Sequence, residues 1–589
     1  MATESTTSPR RDEPDTTGRS AAATVPTPRE TAEVLPPQRR PAWWRRLLRH
    51  LPRYTWSGTV GALVLGYASF TTSLLPRGWL LQALIAGITA AVGCGVAVFI
   101  AWFAREVSGG RGPSARLRHR AWQALAVAGP VLGVLFLWLG HGWQKETHEL
   151  MGLTPPAAYD APAIVLVAVI TFAFLVGVAR LVLRFGRWVI RLLGRVIPPR
   201  AARPIGIVVS SVLVVFLING VLLQGLVGAA NSAFSLKDGG TEQGATRPTA
   251  PERSGSPASL ISWDSLGLQG RNFVGKGPTP QELSAFSGRT ALEPVRAYAG
   301  LASAGTVDER AALAVRDLQR AGGFDRKVLV VVTTTGTGWV DPAASDSLEY
   351  EYDGDTAMVA MQYSYLPSWI SFLVDQSKAR DAGRALFDHV YGVWAALPAD
   401  HRPKLLVFGE SLGTFGGEAA FTGLGAIQNQ TDGVLWAGPP NSNTLWRGFV
   451  AGREPSSPEW LPVYADGREV RFADQPSDLG HPATTWSTPR LAYLQNASDP
   501  IVWWSPNLIF SRPDWLTGTR GRDVSQSMTW LPFVTFWQVT ADLVFAVDVP
   551  DGHGHHYADD YVNGWAAVAQ PDGWTAADTE RLQQLIGRG

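Results

Sequence analysis

The chain has 589 residues, 46% of them hydrophobic, with a net charge of only +1 and a single cysteine, Cys94. One thiol excludes an internal disulfide framework, so packing must hold the fold, and the length leaves room for two or more domains. The small net charge conceals opposite halves: Lys and Arg outnumber Asp and Glu 24 to 10 up to Ala230 and are outnumbered 27 to 40 beyond it.

Such asymmetry places the halves in different surroundings. The basic half carries its charges between long apolar runs, which points to a membrane and argues against nucleic acid as a partner. In chain order, residues 1–40 are rich in Ser, Thr, Pro and charge and lack the apolar run of a signal peptide. They read as a disordered cytoplasmic tail. Residues 41–230 hold five apolar segments, at 56–75, 80–104, 122–140, 161–179 and 205–229. Each is near the length that crosses a hydrocarbon core as a helix, so a five-helix membrane domain is expected.

Arginine is dense before the first segment (RRPAWWRRLLRHLPR) and sparse in the next connection, which holds only Arg77. It is dense again at Arg105, Arg111, Arg116, Arg118 and Arg120, sparse around Lys145, and dense from Arg180 to Arg203. This alternation predicts an N-terminus inside and, after five crossings of the plasma membrane, everything past Ala230 outside. In LVLRFGRWVIRLLGRV, Arg184, Arg187, Arg191 and Arg195 recur three or four residues apart. That stretch is either a helix lying in the inner interface or the solvated end of the fourth span. No span carries a charge near its middle, which argues against a proton relay or an ion-coupled transporter.

Residues 231–257 are rich in Gly, Ser, Thr and Pro and read as a flexible linker. From 258 to 589 strand-like and helix-like runs alternate, the pattern of a mainly parallel sheet covered by helices. Strands are expected at 327–333, 357–363, 404–408, 433–437, 490–495 and 542–549. The third of these runs into Gly-Glu-Ser-Leu-Gly. With 61 glycines in the chain, G-x-S-x-G arises by chance in roughly one such sequence in two or three, so context must decide its meaning.

The context is a strand followed at once by a helix, which is what a nucleophile elbow requires. Ser411 is the expected nucleophile. A Cβ at Gly409 or Gly413 would clash in so tight a turn, and the first helical amide, Leu412, would face a developing oxyanion. The remaining parts follow in the order Ser, Asp, His. Asp499 follows the strand ending in RLAYLQ, and the cluster PDGHGHHY offers His555 as general base, with His553 close behind. The loop TTTGTGW supplies a second oxyanion amide, from Thr337 or alternatively Gly338. Glu410 is expected to tune the elbow. The histidine cluster has no partners at metal-ligand spacing, so neither a metal nor another cofactor is expected.

The segments QGRNFVGKGPT, EPVRAYAGL, TTTGTGWVDPAA, EYDGDTAMVAMQYSYLPSWISFLVD, VFGESLGTFGGEAAF and DGHGHHY resemble the membrane-anchored α/β-hydrolase family 9 of high-GC Gram-positive bacteria. That resemblance implies a lipase- or esterase-like Ser-His-Asp enzyme with a separate N-terminal transmembrane module. It fixes no substrate. Dense aromatics in WWSPNLIFSRPDWL, SMTWLPFVTFWQ and YSYLPSWISFLV would line an acyl cleft, or else pack over the sheet and the spans. The expected substrate class is an acyl ester of a cell-envelope lipid. Acyl transfer through the same triad, and a catalytically silent membrane scaffold, are the alternatives.

Overall fold

The computed structural model describes residues 54–109, 114–156, 160–374 and 376–587; the tail expected over 1–40 lies outside them. Among the described residues, four helices are long and apolar enough to cross a membrane: Trp79–Val107, Ala115–Leu150, Ala161–Leu193 and Arg200–Asp238. The sequence pattern had given five. What differs is the first, a helix of only 13 residues, Trp56–Ala68, about 20 Å long against a hydrocarbon core of about 30 Å. Hydroxyls take over its last carbonyls: Ser69 Oγ donates to Gly66 O at 2.6 Å and Thr71 Oγ1 to Ala68 O at 2.7 Å. Such side chains compete with the helical ladder and end it. The arginine-rich stretch is the end of the Ala161–Leu193 helix, so Arg184, Arg187 and Arg191 ride its last turns.

The flexible linker expected at 231–257 is instead ordered. The last long helix continues through a π-helical stretch at Leu217–Leu223 to Asp238, where the Asp238 carboxylate accepts from Leu268 N at 3.0 Å. Arg253 is buried: its Nη2 donates to Pro278 O at 2.6 Å, and its Nε pairs with Glu293 at 2.5 Å. Ser254 Oγ donates to buried Asp317 at 2.5 Å. Small polar residues here satisfy buried partners and do not mark a tether.

Beyond this, seven strands among the described residues form one parallel sheet. They are β1 (Val295–Ala299), β2 (Val328–Thr333), β3 (Thr356–Met361), β4 (Lys404–Glu410), β5 (Gly433–Ala437), β6 (Val470–Ala473) and β7 (Arg490–Leu494). Their order is β1-β3-β2-β4-β5-β7-β6, and every pairing is parallel. Covered on both faces, the central strands read as continuous apolar runs such as VLVVVT. β4 lies near the middle, between β2 and β5.

Two differences from the sequence pattern matter. The strand expected at 542–549 does not form: a helix Val534–Asp542 is followed by a 3-10 turn Leu543–Phe545 and a loop. The sheet edge next to β7 is taken instead by β6, which, like β1, had gone unrecognised.

Candidate active site

β4 ends at Glu410 and a helix begins at Leu412, leaving Ser411 alone at the corner with φ 53° and ψ −126°. A non-glycine residue in that region is held there by its surroundings. Ser411 N donates to Ala437 O at 2.9 Å, and Ser411 O accepts from Thr414 N at 2.9 Å and Thr414 Oγ1 at 2.7 Å. The flanking glycines leave no room for a side chain. A Cβ on Gly409 would stand 2.6 Å from Gly413 O, and one on Gly413 would stand 2.3 Å from Thr333 O.

Asp499 follows β7, is fully buried, and uses its two oxygens differently. Oδ1 caps the short helix Pro500–Trp503, accepting from Ile501 N at 2.8 Å. Oδ2 receives His555 Nδ1 at 2.6 Å and Tyr557 Oη at 2.5 Å. The cap and the histidine partner are thus one residue. Tyr557 was overlooked in the sequence although it closes the histidine cluster. His555 sits on a loop before the Asp560–Ala569 helix, not at a strand end and not at the helix start. Its ring packs over Gly438, where a Cβ would lie 2.3 Å from Cε1. His555 Nε2 is buried and unpartnered, and His555 and Ser411 line one cavity of about 910 Å³.

His553, the alternative base, is committed elsewhere. Its Nδ1 lies 2.9 Å from the buried Asp523 Oδ2, which also accepts from Ser498 Oγ at 2.5 Å. It does not line the Ser411 cavity. His556 Nε2 pairs with Asp551 at 3.0 Å. Three neighbouring histidines therefore have three separate carboxylates.

Of the proposed oxyanion donors, Leu412 is the first residue of its helix and Thr337 lines the cavity. The Gly338 amide is spent: it donates to Thr335 O at 2.9 Å, closing a turn. Thr335 also lines the cavity and its buried hydroxyl has no partner, a donor the sequence reading missed. Among the described residues, no group of three or more His, Cys, Asp or Glu side chains is placed to hold a metal ion.

Burial alone would lower the His555 pKa, but the Asp499 charge and hydrogen bond, with Glu410 behind them, raise it overall. Burial, reinforced by Asp341, pushes Glu410 up to about 8. Asp341, which caps the Pro342–Glu351 helix, is pushed by burial to about 6. Both residues line the cavity. Burial thus favours the neutral acid form of Glu410, the residue next to the serine.

Two further contributions to the cavity wall bear on its contents. Phe234, Lys237 and Asp238 belong to the end of the last long apolar helix, and Tyr365 and Pro367 to the YSYLPSWISFLV stretch. The aromatics at 503–537 line none of it. Trp503 and Trp515 are buried against each other, and Leu531 shares an apolar groove with Leu63, Tyr67 and Phe136 of the membrane half. Of the two expectations for that stretch, packing against the spans is the one that holds.

A parallel sheet with a serine at the corner after a central strand, and a buried His–Asp pair on later loops, is the architecture of an α/β-hydrolase. Residues 295–582 match the alpha/beta-hydrolase family and residues 70–278 match the alpha/beta-hydrolase family N-terminus. Together these cover most of the chain, which belongs to this family. Neither a curated protein nor a solved structure gives a match.

Proposed function

We propose that the protein is a membrane-anchored serine hydrolase that cleaves acyl esters of envelope lipids. The observation that carries the reading is the free Nε2 of His555, in the same cavity as Ser411, on a ring whose Nδ1 is bonded to buried Asp499. Asp499 holds the tautomer in which Nε2 accepts a proton. Ser411 Oγ then attacks the ester carbonyl as its proton passes to Nε2, and the amides of Leu412 and Thr337 stabilise the oxyanion. His555 returns the proton to the leaving alcohol, and water, activated the same way, releases the acid and restores the serine.

Two features favour a lipid. The cavity wall includes the end of an apolar helix that reaches back 39 residues from Asp238, so a bilayer ester has a short path to Ser411. The two arginine-poor connections, around Arg77 and around Met151, both touch the catalytic half, and Leu75 and Met151 are part of its core. The arginine-rich connections then lie on the other side, inside, and the catalytic half lies outside. Counted over four spans, the alternation still places the catalytic half outside, while an inside N-terminus requires the short Trp56–Ala68 helix to complete a fifth crossing.

The test uses the full-length protein in detergent micelles with a short nitrophenyl ester and a fluorophosphonate probe. Wild type is expected to turn over and be labelled, and Ser411→Ala to do neither. Equal rates for the two would remove the proposal.

A further inference from the structure

Connections between helices normally run exposed over the surface. The one joining Trp56–Ala68 to Trp79–Val107 does not: Ser69, Thr72, Ser73, Leu74, Leu75 and Arg77 are each at most 3% exposed. What covers them is the part of the catalytic half that leads to the histidine loop. Gln538 Nε2 donates to Ser69 O at 3.1 Å and to Thr71 O at 2.9 Å. The Ser73 hydroxyl donates to the Asp542 carboxylate, and the amides of Leu74 and Leu75 lie against the same group. A buried carboxylate needs such donors, and three consecutive residues of the membrane half provide them.

Two paths run from this loop to His555. Asp542 ends the Val534–Asp542 helix, and four residues later Ala546 O accepts the His555 amide at 2.7 Å. The second path is direct: a Cβ on Gly554 would stand 2.7 Å from Ala546 O and Val549 Cγ2 and 3.3 Å from Leu75 Cδ2. Gly554 N donates to Ser498 Oγ at 2.8 Å, and Gly554 O accepts from Asn496 Nδ2 at 3.0 Å. The residue before His555 is therefore gripped on its polar edges by the catalytic half and on its apolar side by Val549 together with Leu75.

We infer that the loop at 71–76 belongs to the catalytic scaffold, with Leu75 and Ser73 acting as positioning residues that hold the His555 loop in register with Asp499. The inference rests on His555 being the base proposed above. It gives the membrane half a role beyond anchoring: one of its loops is a wall behind the catalytic histidine. Misplacement of a catalytic group by about 1 Å costs on the order of a hundredfold in rate, so small losses of support here are readable.

The experiment compares full-length variants in detergent on a nitrophenyl ester, with hydrogen exchange at the 553–556 amides as a second readout. Leu75→Ala is expected to lower kcat at least about tenfold with KM within about twofold, and to speed exchange at the His555 amide. Leu75→Met restores most of the rate. Ile164→Ala, which removes similar volume from a separate membrane cluster, changes neither readout. Should Leu75→Ala not fold, Ser73→Ala, which deletes one hydroxyl, decides by the same two readouts. Wild-type kcat and exchange in both loop variants, with Ser411→Ala and His555→Ala inactive, overturn the inference alone. Turnover that survives Ser411→Ala removes the reading beneath it.

Discussion

Asp499→Asn tests the proposed chemistry with the least structural disturbance. The replacement is isosteric, and an Asn side chain can still cap Pro500–Trp503, since Asn and Asp cap equally well. What changes is Oδ2, which now receives both His555 Nδ1 at 2.6 Å and Tyr557 Oη at 2.5 Å. An amide turned with its nitrogen toward the imidazole forces Nδ1 to accept, puts the ring proton on Nε2, and leaves nothing to take the Ser411 proton. In serine-protease triads this tautomer error costs about 10⁴ in kcat, or about 5 kcal/mol of barrier. Asp499 is fully buried, so water cannot replace it, and a loss of that order is expected here. Stability should fall by about 1–3 kcal/mol, because the buried Tyr557 hydroxyl loses its acceptor while the helix cap is kept. Nitrophenolate release and a thermal melt on the same sample measure both. A kcat above about a tenth of wild type in the folded variant would show that Asp499 is a helix cap and nothing more.

His555→Ala abolishes fluorophosphonate labelling, whereas His553→Ala, which loses only the Asp523 pair, keeps labelling within about threefold. Glu410 has its folded pKa raised to about 8 by burial and Asp341, so folding favours its protonated form. Its contribution is complete below the unfolded carboxylate range near pH 4.3 and is lost as pH rises through about 8. Melting temperature should therefore fall across that window in the wild type and stay flatter in Glu410→Gln; parallel curves would refute the assignment. Gly413→Ala places a methyl 2.3 Å from Thr333 O and is expected to cost at least about 2 kcal/mol, seen as a lower Tm and lost labelling. In a Cys94→Ala background, Gly152→Cys should react with an impermeant maleimide on intact cells and Ser108→Cys only after permeabilisation. The reverse pattern would invert the proposed orientation.

The parts of the site legible in the sequence were those written in short contiguous patterns. A strand, a glycine-flanked serine and a helix are one local signal, and the elbow forms where it was expected. The missed strands have a common cause. β1 and β6 each carry an arginine, Arg296 and Arg471, in a run of five or four residues. A charge there argues against a buried strand until its partners are known. Arg296 is met by Glu349 at 2.7 Å and Asp346 at 2.5 Å, and Arg471 by the carbonyls of Gly467, Leu479 and Thr484. All but one of these partners are more than five residues away. The strand expected at 542–549 failed for the converse reason: its β-branched composition is right, but β6 already holds that edge.

By itself the sequence determined the division into a basic apolar half and an acidic α/β half, the serine at the strand-to-helix turn and the chain order of the Asp and His proposed to act with it, because periodicity and glycine placement act over neighbouring residues. Only the tertiary structure decided which histidine meets Asp499, that Gly338 is spent in a turn, and that a loop of the membrane half closes the back of the site. Those outcomes depend on donors and acceptors brought together from as far apart as Ser73 and Asp542, and burial selects among such pairings by a criterion no local pattern carries.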